Sequence, residues 1–279
     1  MNPFITSNAQ IRVPRIIYGT AWKKTETQRL VRLAIQNGFR GIDTACQPKH
    51  YDEPGVGAGI AASLKKGLTR ADLYLQTKFI SLSGQDPKRI PYDSMAPLPQ
   101  QVAQSVAASL KNLQTDYLDC VLLHSPMPTA TQDLAVWRAL ETLVDTGLVR
   151  QLGISNCYRL DLLEALFNAS RIKPTVLQNR FYAETDYDVP LREFCRKHGI
   201  TYQSFWTLSA NPHLLADETL RLLSLKYQRS PAQLLFRYLT QSGVVPLTGT
   251  RSEAHMREDL DIFAFELTDT ELRAITTLL

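Results

Sequence analysis

The runs GFRGID (residues 38–43), LYLQTK (73–78) and YLDCVLLH (117–124) each pass through apolar residues and stop on an ionisable one, Asp43, Lys78 or His124. Short, nearly continuous apolar runs read as parallel strands buried on both faces. Tyr51 follows Asp43 in the next loop. An acid, a phenol, an ammonium and an imidazole at the carboxyl ends of successive strands can together deliver a proton to a carbonyl oxygen.

Further runs of the same kind extend along the chain. Strands are expected at Arg15–Tyr18, Phe39–Ile42, Leu73–Thr77, Tyr117–Leu123, Gln151–Ile154, Thr175–Gln178, Thr201–Ser204 and Val244–Pro246. Amphipathic segments separate them. TETQRLVRLAIQNG (25–38) has a capping-box start at Thr25 and Gln28 and a glycine stop at Gly38. Residues 100–113, 130–147 and 230–243 share its character. Strand–helix alternation argues for βαβ units. Eight units in 279 residues fit a single-domain α/β fold over residues 1–279, the (β/α)8 TIM barrel, whose chemistry lies at the carboxyl ends of the strands. The connection ISLSGQDPKRIPYDSMAPLP (80–99) is long and holds four prolines. Because it leaves the rim just after Lys78, it is expected to be a lid over the pocket.

Composition narrows the function. The chain is 44% hydrophobic and 21% charged, with a formal charge of +4. Its scattered basic residues do not argue for nucleic acid. No stretch approaches a membrane helix, and the amino terminus lacks a signal-peptide core. Cys46, Cys120, Cys157 and Cys195 have no zinc-ligand spacing and read as free thiols of a cytoplasmic protein. His124 has no metal-ligand spacing with His50, His198, His213 or His255.

The candidate residues each admit two readings. Asp43 and Lys78 form either a structural ion pair or a device that tunes Tyr51, since a nearby ammonium favours the phenolate. His124 is either a loop histidine or a neutral donor to a substrate oxygen. Ser155 and Asn156 in GISNC, and Gln178 and Asn179 in VLQN, either cap loops or suit a carboxamide. PLTGTRSEAHMRED (246–259) puts Arg251 beside a helix start at Ser252, which is either an ordinary cap or an anion site.

These motifs resemble, in order, the aldo-keto reductases. The resemblance rests on GIDTA (41–45) with a following tyrosine, TK (77–78), LLHSP (122–126), LGISNC (152–157), Gln178 and GTRSEAHMREDL (249–260), and it spans nearly the whole chain. It implies hydride transfer from NADPH to the carbonyl of an aldehyde or ketone, with the tetrad Asp43, Tyr51, Lys78 and His124. The implied cofactor groove runs from Gly19, Thr20 and Ala21 past Asp43, Ser155, Asn156 and Gln178. It continues along Gln203, Ser204, Phe205, Trp206 and Thr207 to Thr248, Gly249, Thr250, Arg251, His255, Glu258 and Asp259.

The chain departs from the family pattern at three points. The family tyrosine comes five residues after the aspartate, whereas Tyr51 comes eight after Asp43, so an insertion is expected and His50 is the nearby rival. Gln203 stands where an aromatic residue normally faces the nicotinamide, which leaves that contact to the amide, Phe205 or Trp206. Gly249 and His255 stand where a lysine and an arginine often hold the 2′-phosphate, which leaves Arg251. The chain ends without a long tail over the barrel mouth, and an open pocket lined by Trp22, Tyr51, His124, Tyr182 and Trp206 suits bulky or aromatic carbonyls. Two alternatives are a regulatory subunit of the same family, acting through a protein partner, and a barrel lyase or hydrolase with Lys78 as nucleophile. A monomer or weak dimer is expected.

Overall fold

The computed structural model describes residues 2–65 and 67–279, so Met1 and Lys66 lie outside the described residues. The barrel strands are β3 (Ile17–Gly19), β4 (Gly41–Asp43), β5 (Tyr74–Phe79), β6 (Cys120–Leu123), β7 (Leu152–Ser155), β8 (Val176–Arg180), β9 (Thr201–Phe205) and β10 (Val245–Thr248). They pair in parallel and in chain order, and β10 closes on β3. All eight lie where the apolar runs predict, but most end one or two residues later. The ladder continues past the last apolar residue, which brings Asp43, Lys78 and Ser155 inside their strands.

Successive strand side chains alternate between two environments. Residues facing outward join the helices in the main core, for example Ile42, Leu75, Val121 and Leu177. Residues facing inward fill the lumen, among them Ile17, Tyr74, Leu122, Val176 and Leu247. The wall is tight at Gly153, where a Cβ would lie 2.5 Å from the Val176 carbonyl oxygen.

The helix Thr27–Asn37 buries Leu30, Val31, Ala34 and Ile35 and ends on Gly38 at φ +116°. That conformation favours glycine. The capping box expected at Thr25 and Gln28 does not form. Residues 24–26 make a 3-10 turn, so the helix begins later, and the Thr27 hydroxyl donates to the Lys24 carbonyl at 2.7 Å.

An antiparallel hairpin of β1 (Phe4–Thr6) and β2 (Arg12–Pro14) precedes the barrel. Its Val13 joins the lumen core, so the hairpin packs against the amino-terminal end of the barrel. No strand is expected there from the sequence, because FIT and RVP lie in a polar stretch without the continuous apolar run that marks the barrel strands.

Residues 80–99 do not drape over the active cavity. The Tyr92 hydroxyl donates to the Ile80 carbonyl at 2.8 Å, and the Gln85 amide donates to the Cys46 carbonyl at 3.0 Å. These buried contacts hold the segment against the end of β5 and the loop after β4, and none of its residues lines the cavity of Tyr51 and His124, so it stands beside that cavity and not over it as the expected lid.

Candidate active site

The tetrad converges on the rim as its strand ends predict. Lys78 is 2% exposed and places all three ammonium donors, at 2.7 and 2.6 Å on the two Asp43 carboxylate oxygens and at 2.9 Å on the Thr44 carbonyl. Asp43 Oδ1 also accepts from the Gln76 amide at 2.7 Å and the Gln178 amide at 3.0 Å. A buried carboxylate requires such donors. Gln76 and Gln178 both donate to Gln203 Oε1 at 2.9 Å, so three glutamines form a belt beneath the ion pair.

Burial pulls the Lys78 ammonium down, but the charges of Asp43 and Tyr51 outweigh it and the net direction is up. Lys78 Nζ lies 5.4 Å from the Tyr51 ring centroid. Burial raises the Tyr51 phenol, Lys78 lowers it, and Asp43 raises it. The net direction is up, whereas the sequence reading put weight on the ammonium lowering it. Desolvation of the phenol outweighs the paired cation. Burial, and then the Lys78 charge, push His124 down to about 4, which keeps its imidazole neutral near pH 7.

Asn156 sits at φ +51° after β7 and donates to the His124 carbonyl at 2.7 Å. Ser155 donates to the Gln178 carbonyl at 2.7 Å. Ser155, Asn156 and Gln178 line one cavity of about 460 Å3 together with Asp43, Tyr51, Lys78, His124, Trp22 and Trp206. A second cavity of about 520 Å3 is lined by Thr207, Thr248, Gly249, Thr250, His255, Glu258 and Asp259. The two share Trp206, Leu247 and Gly249, which makes an elongated groove. Burial raises Asp259 to about 6, and Thr248 donates to it at 2.7 Å.

Several expected residues stand elsewhere. Gln203 is fully buried in the glutamine belt, and Phe205 and Trp206 line the cavity beside it. Thr20 and Ser204 are also fully buried; their hydroxyls bond the Asp43 carbonyl and Thr207. Gly19 and Ala21 line the first cavity. Tyr182 does not line the pocket as expected. It packs against Arg180, whose guanidinium is 5.0 Å from its ring and occupies the wall instead. Arg251 lies outside the lining of the second cavity and donates to the Trp22 carbonyl at 2.6 Å.

Sequence reading missed Lys23 and Arg180. Lys23 is 5% exposed and bonds the Gly249 carbonyl across the groove. Burial, and then Arg251, lower its ammonium to about 8. Its signal was its place just beyond β3. The signal of Arg180 was strand alternation, because the inward face that carries Val176 and Gln178 continues to it.

A further cavity of about 550 Å3 adjoins the first across Gln47, His50 and Tyr51 and is walled by Lys49, Arg89 and Pro91. The His50 and Trp22 rings pack against each other at a 40° tilt with centroids 4.0 Å apart.

Comparison with known proteins agrees with this architecture. The family model described as "Aldo/keto reductase family" matches residues 15–279. Glyoxal reductase of Bacillus subtilis is 34% identical over 256 residues, covering 91% of this chain and 83% of that protein. The crystal structure of an aldo/keto reductase from Brucella melitensis superimposes with a TM-score of 0.84 at 31% identity, covering 99% of both chains. The structure of Bombyx mori aldo-keto reductase AKR2E4 in complex with NADP gives 0.84 at 29% identity, covering 99% of this chain and 92% of that one. The chain belongs to the aldo/keto reductase family.

Proposed function

We propose that the protein reduces aldehydes or ketones to alcohols with NADPH, with Tyr51 as the proton donor. The observation that carries this reading is the buried Asp43–Lys78 pair, 2.6 Å apart, set against the Tyr51 ring in a cavity that His124 also lines. The relatives support the coarser statement, since one is named a glyoxal reductase and another structure is an NADP complex.

The groove fits an extended dinucleotide. Ser155, Asn156 and Gln178 line one end, where their side-chain oxygens can accept from a carboxamide, and Thr250, His255, Glu258 and Asp259 line the other. Lys23, which bonds the Gly249 carbonyl across the groove, would exchange that bond for a pyrophosphate oxygen when the cofactor binds. When bound, the cofactor supplies the hydride.

The chain's residues supply the rest. With its pKa raised, the Tyr51 phenol is protonated at neutral pH and can donate to the carbonyl oxygen. Neutral His124 donates a second hydrogen bond to that oxygen and fixes its position. Lys78, held by Asp43, stabilises the phenolate left after transfer. The test is loss of NADPH absorbance with an aromatic aldehyde, in wild type and Tyr51→Phe. A wild type that binds NADPH but reduces no aldehyde or ketone would overturn the reading.

A further inference from the structure

Arg180 is the last residue of β8. Strand alternation carries the lumen-facing series Val176, Gln178 and Arg180 up to the rim, and Arg180 lines the same cavity as Tyr51 and His124. Its guanidinium stacks 4.2 Å from the Trp206 ring and 5.0 Å from Tyr182. These contacts hold the fork in place by cation–π attraction but satisfy none of its in-plane donors. Arg180 Nε is buried and has no hydrogen-bond partner. Among the described residues, no carboxylate lies within ion-pair distance of Arg180.

The Lys78, Asp43 and Lys23 side chains already have hydrogen-bond partners. Lys78 and Asp43 neutralise each other, and Lys23 bonds the Gly249 carbonyl on the far side. The chamber therefore offers one partly desolvated guanidinium without a counter-ion. Leaving such a group unpaired is costly. A carboxylate matches its planar fork in two parallel hydrogen bonds.

We propose that the carbonyl compounds this chamber takes carry a carboxylate, and that Arg180 binds it. This rests on the carbonyl-reductase reading of the same site. The substrate class is oxo acids, with the carbonyl at Tyr51 and His124 and the carboxylate at the Trp206 side of the cavity.

The test compares 4-carboxybenzaldehyde with its neutral methyl ester in wild type, Arg180→Met and Arg180→Lys. The wild type should prefer the carboxylate. Charged hydrogen bonds of this kind correspond to about 10- to 100-fold. Arg180→Met should collapse that preference by about this factor, chiefly through KM, and Arg180→Lys should restore part of it. Binding of benzoate to the enzyme with NADP+, followed by tryptophan fluorescence, tests the anion site without turnover. Trp206 stands beside the guanidinium as the reporter, and the signal should vanish in Arg180→Met.

A wild type with no preference for the acid, or an Arg180→Met protein that keeps it, overturns the inference. So does an Arg180→Met protein that loses NADPH affinity while the acid-to-ester ratio holds, since Arg180 would then serve the cofactor. If neither aldehyde is reduced but benzoate binds only when Arg180 is present, the anion site stands and the reductase reading fails.

Discussion

Lys78→Met should cost both stability and turnover, and the structure sets the scale. Lys78 is 2% exposed and makes three hydrogen bonds, two of them to Asp43. Removing one partner of a buried ion pair costs about 3–5 kcal/mol, because the other charge is left behind. Here Asp43 keeps the Gln76 and Gln178 amides, which argues for the lower end, about 3 kcal/mol. For a domain of this size that is a fall in Tm of about 5 °C. A fold stable by about 5–15 kcal/mol survives it. The sign of the pH dependence follows from the raised ammonium pKa. The contribution of Lys78 is complete below its unfolded value of about 10.4 and is lost as pH rises through the higher folded value, so on the alkaline side the deficit of the variant should narrow above that folded value. Urea denaturation with constant m measures the loss, and NADPH oxidation measures turnover on the same preparation. A loss under about 1 kcal/mol would mean the pair contributes little to folding. Full turnover in the variant would refute the view that the ammonium serves Tyr51.

Further outcomes are expected. Tyr51→Phe should lower turnover by about 10²–10⁴-fold with NADPH affinity retained; near-normal turnover would transfer the donor role to His50, which shares the cavity. Turnover at saturating NADPH, where Lys23 and Asp259 of the cofactor groove no longer limit the rate, should be flat from about pH 5 to pH 9, because burial lowers His124 to about 4 and raises the Tyr51 phenol; an inflection of kcat near an ordinary histidine value would contradict a neutral His124. Arg251→Ala should raise KM for NADPH more than for NADH, since Arg251 can exchange the Trp22 carbonyl for a 2′-phosphate; equal losses, read from kcat/KM with both cofactors, would assign it to the shared pyrophosphate or to the fold. Gly153→Ala should destabilise by about 1–3 kcal/mol in denaturant melts, because its Cβ would press on the Val176 backbone; a neutral effect would show that the barrel wall yields there.

The barrel, and the gathering of Asp43, Lys78 and His124 on its rim, were legible because a costly charge at the end of an apolar run needs a reason. Asp43, Lys78 and His124 carry that signal without any knowledge of the fold. The glutamine belt and Arg180 were less legible, although period-two alternation reaches both once one inward residue is known. What no local pattern reports is contact between distant segments. The bond from Lys23 to the Gly249 carbonyl spans most of the chain, and the anchoring of Tyr92 on Ile80 depends on how residues 80–99 fold back. Length and prolines identify that segment as irregular, but not as anchored. The hairpin of β1 and β2 went unread because FIT and RVP are flanked by polar residues and lack the apolar run that marks even the three-residue barrel strands.

The spacing before Tyr51 shows how a longer connection can still bring a phenol to the Lys78 ammonium. Three extra residues would carry an extended chain about 10 Å further, well past Lys78. They are absorbed instead in a tight turn, in which the amides of both His50 and Tyr51 donate to the Gln47 carbonyl at 3.0 Å. Tyr51 thereby stays over the Lys78 ammonium. The added bulk goes sideways, where the His50 ring packs against Trp22 and Lys49 walls the adjoining cavity. Gln47 is held from below by its 2.6 Å bond to the Gly84 carbonyl, so the turn rests on the folded-back 80–99 segment. That segment therefore acts on the site by supporting the turn that positions Tyr51, and loosening the Gln47–Gly84 contact should disturb Tyr51 before it disturbs the Asp43–Lys78 pair.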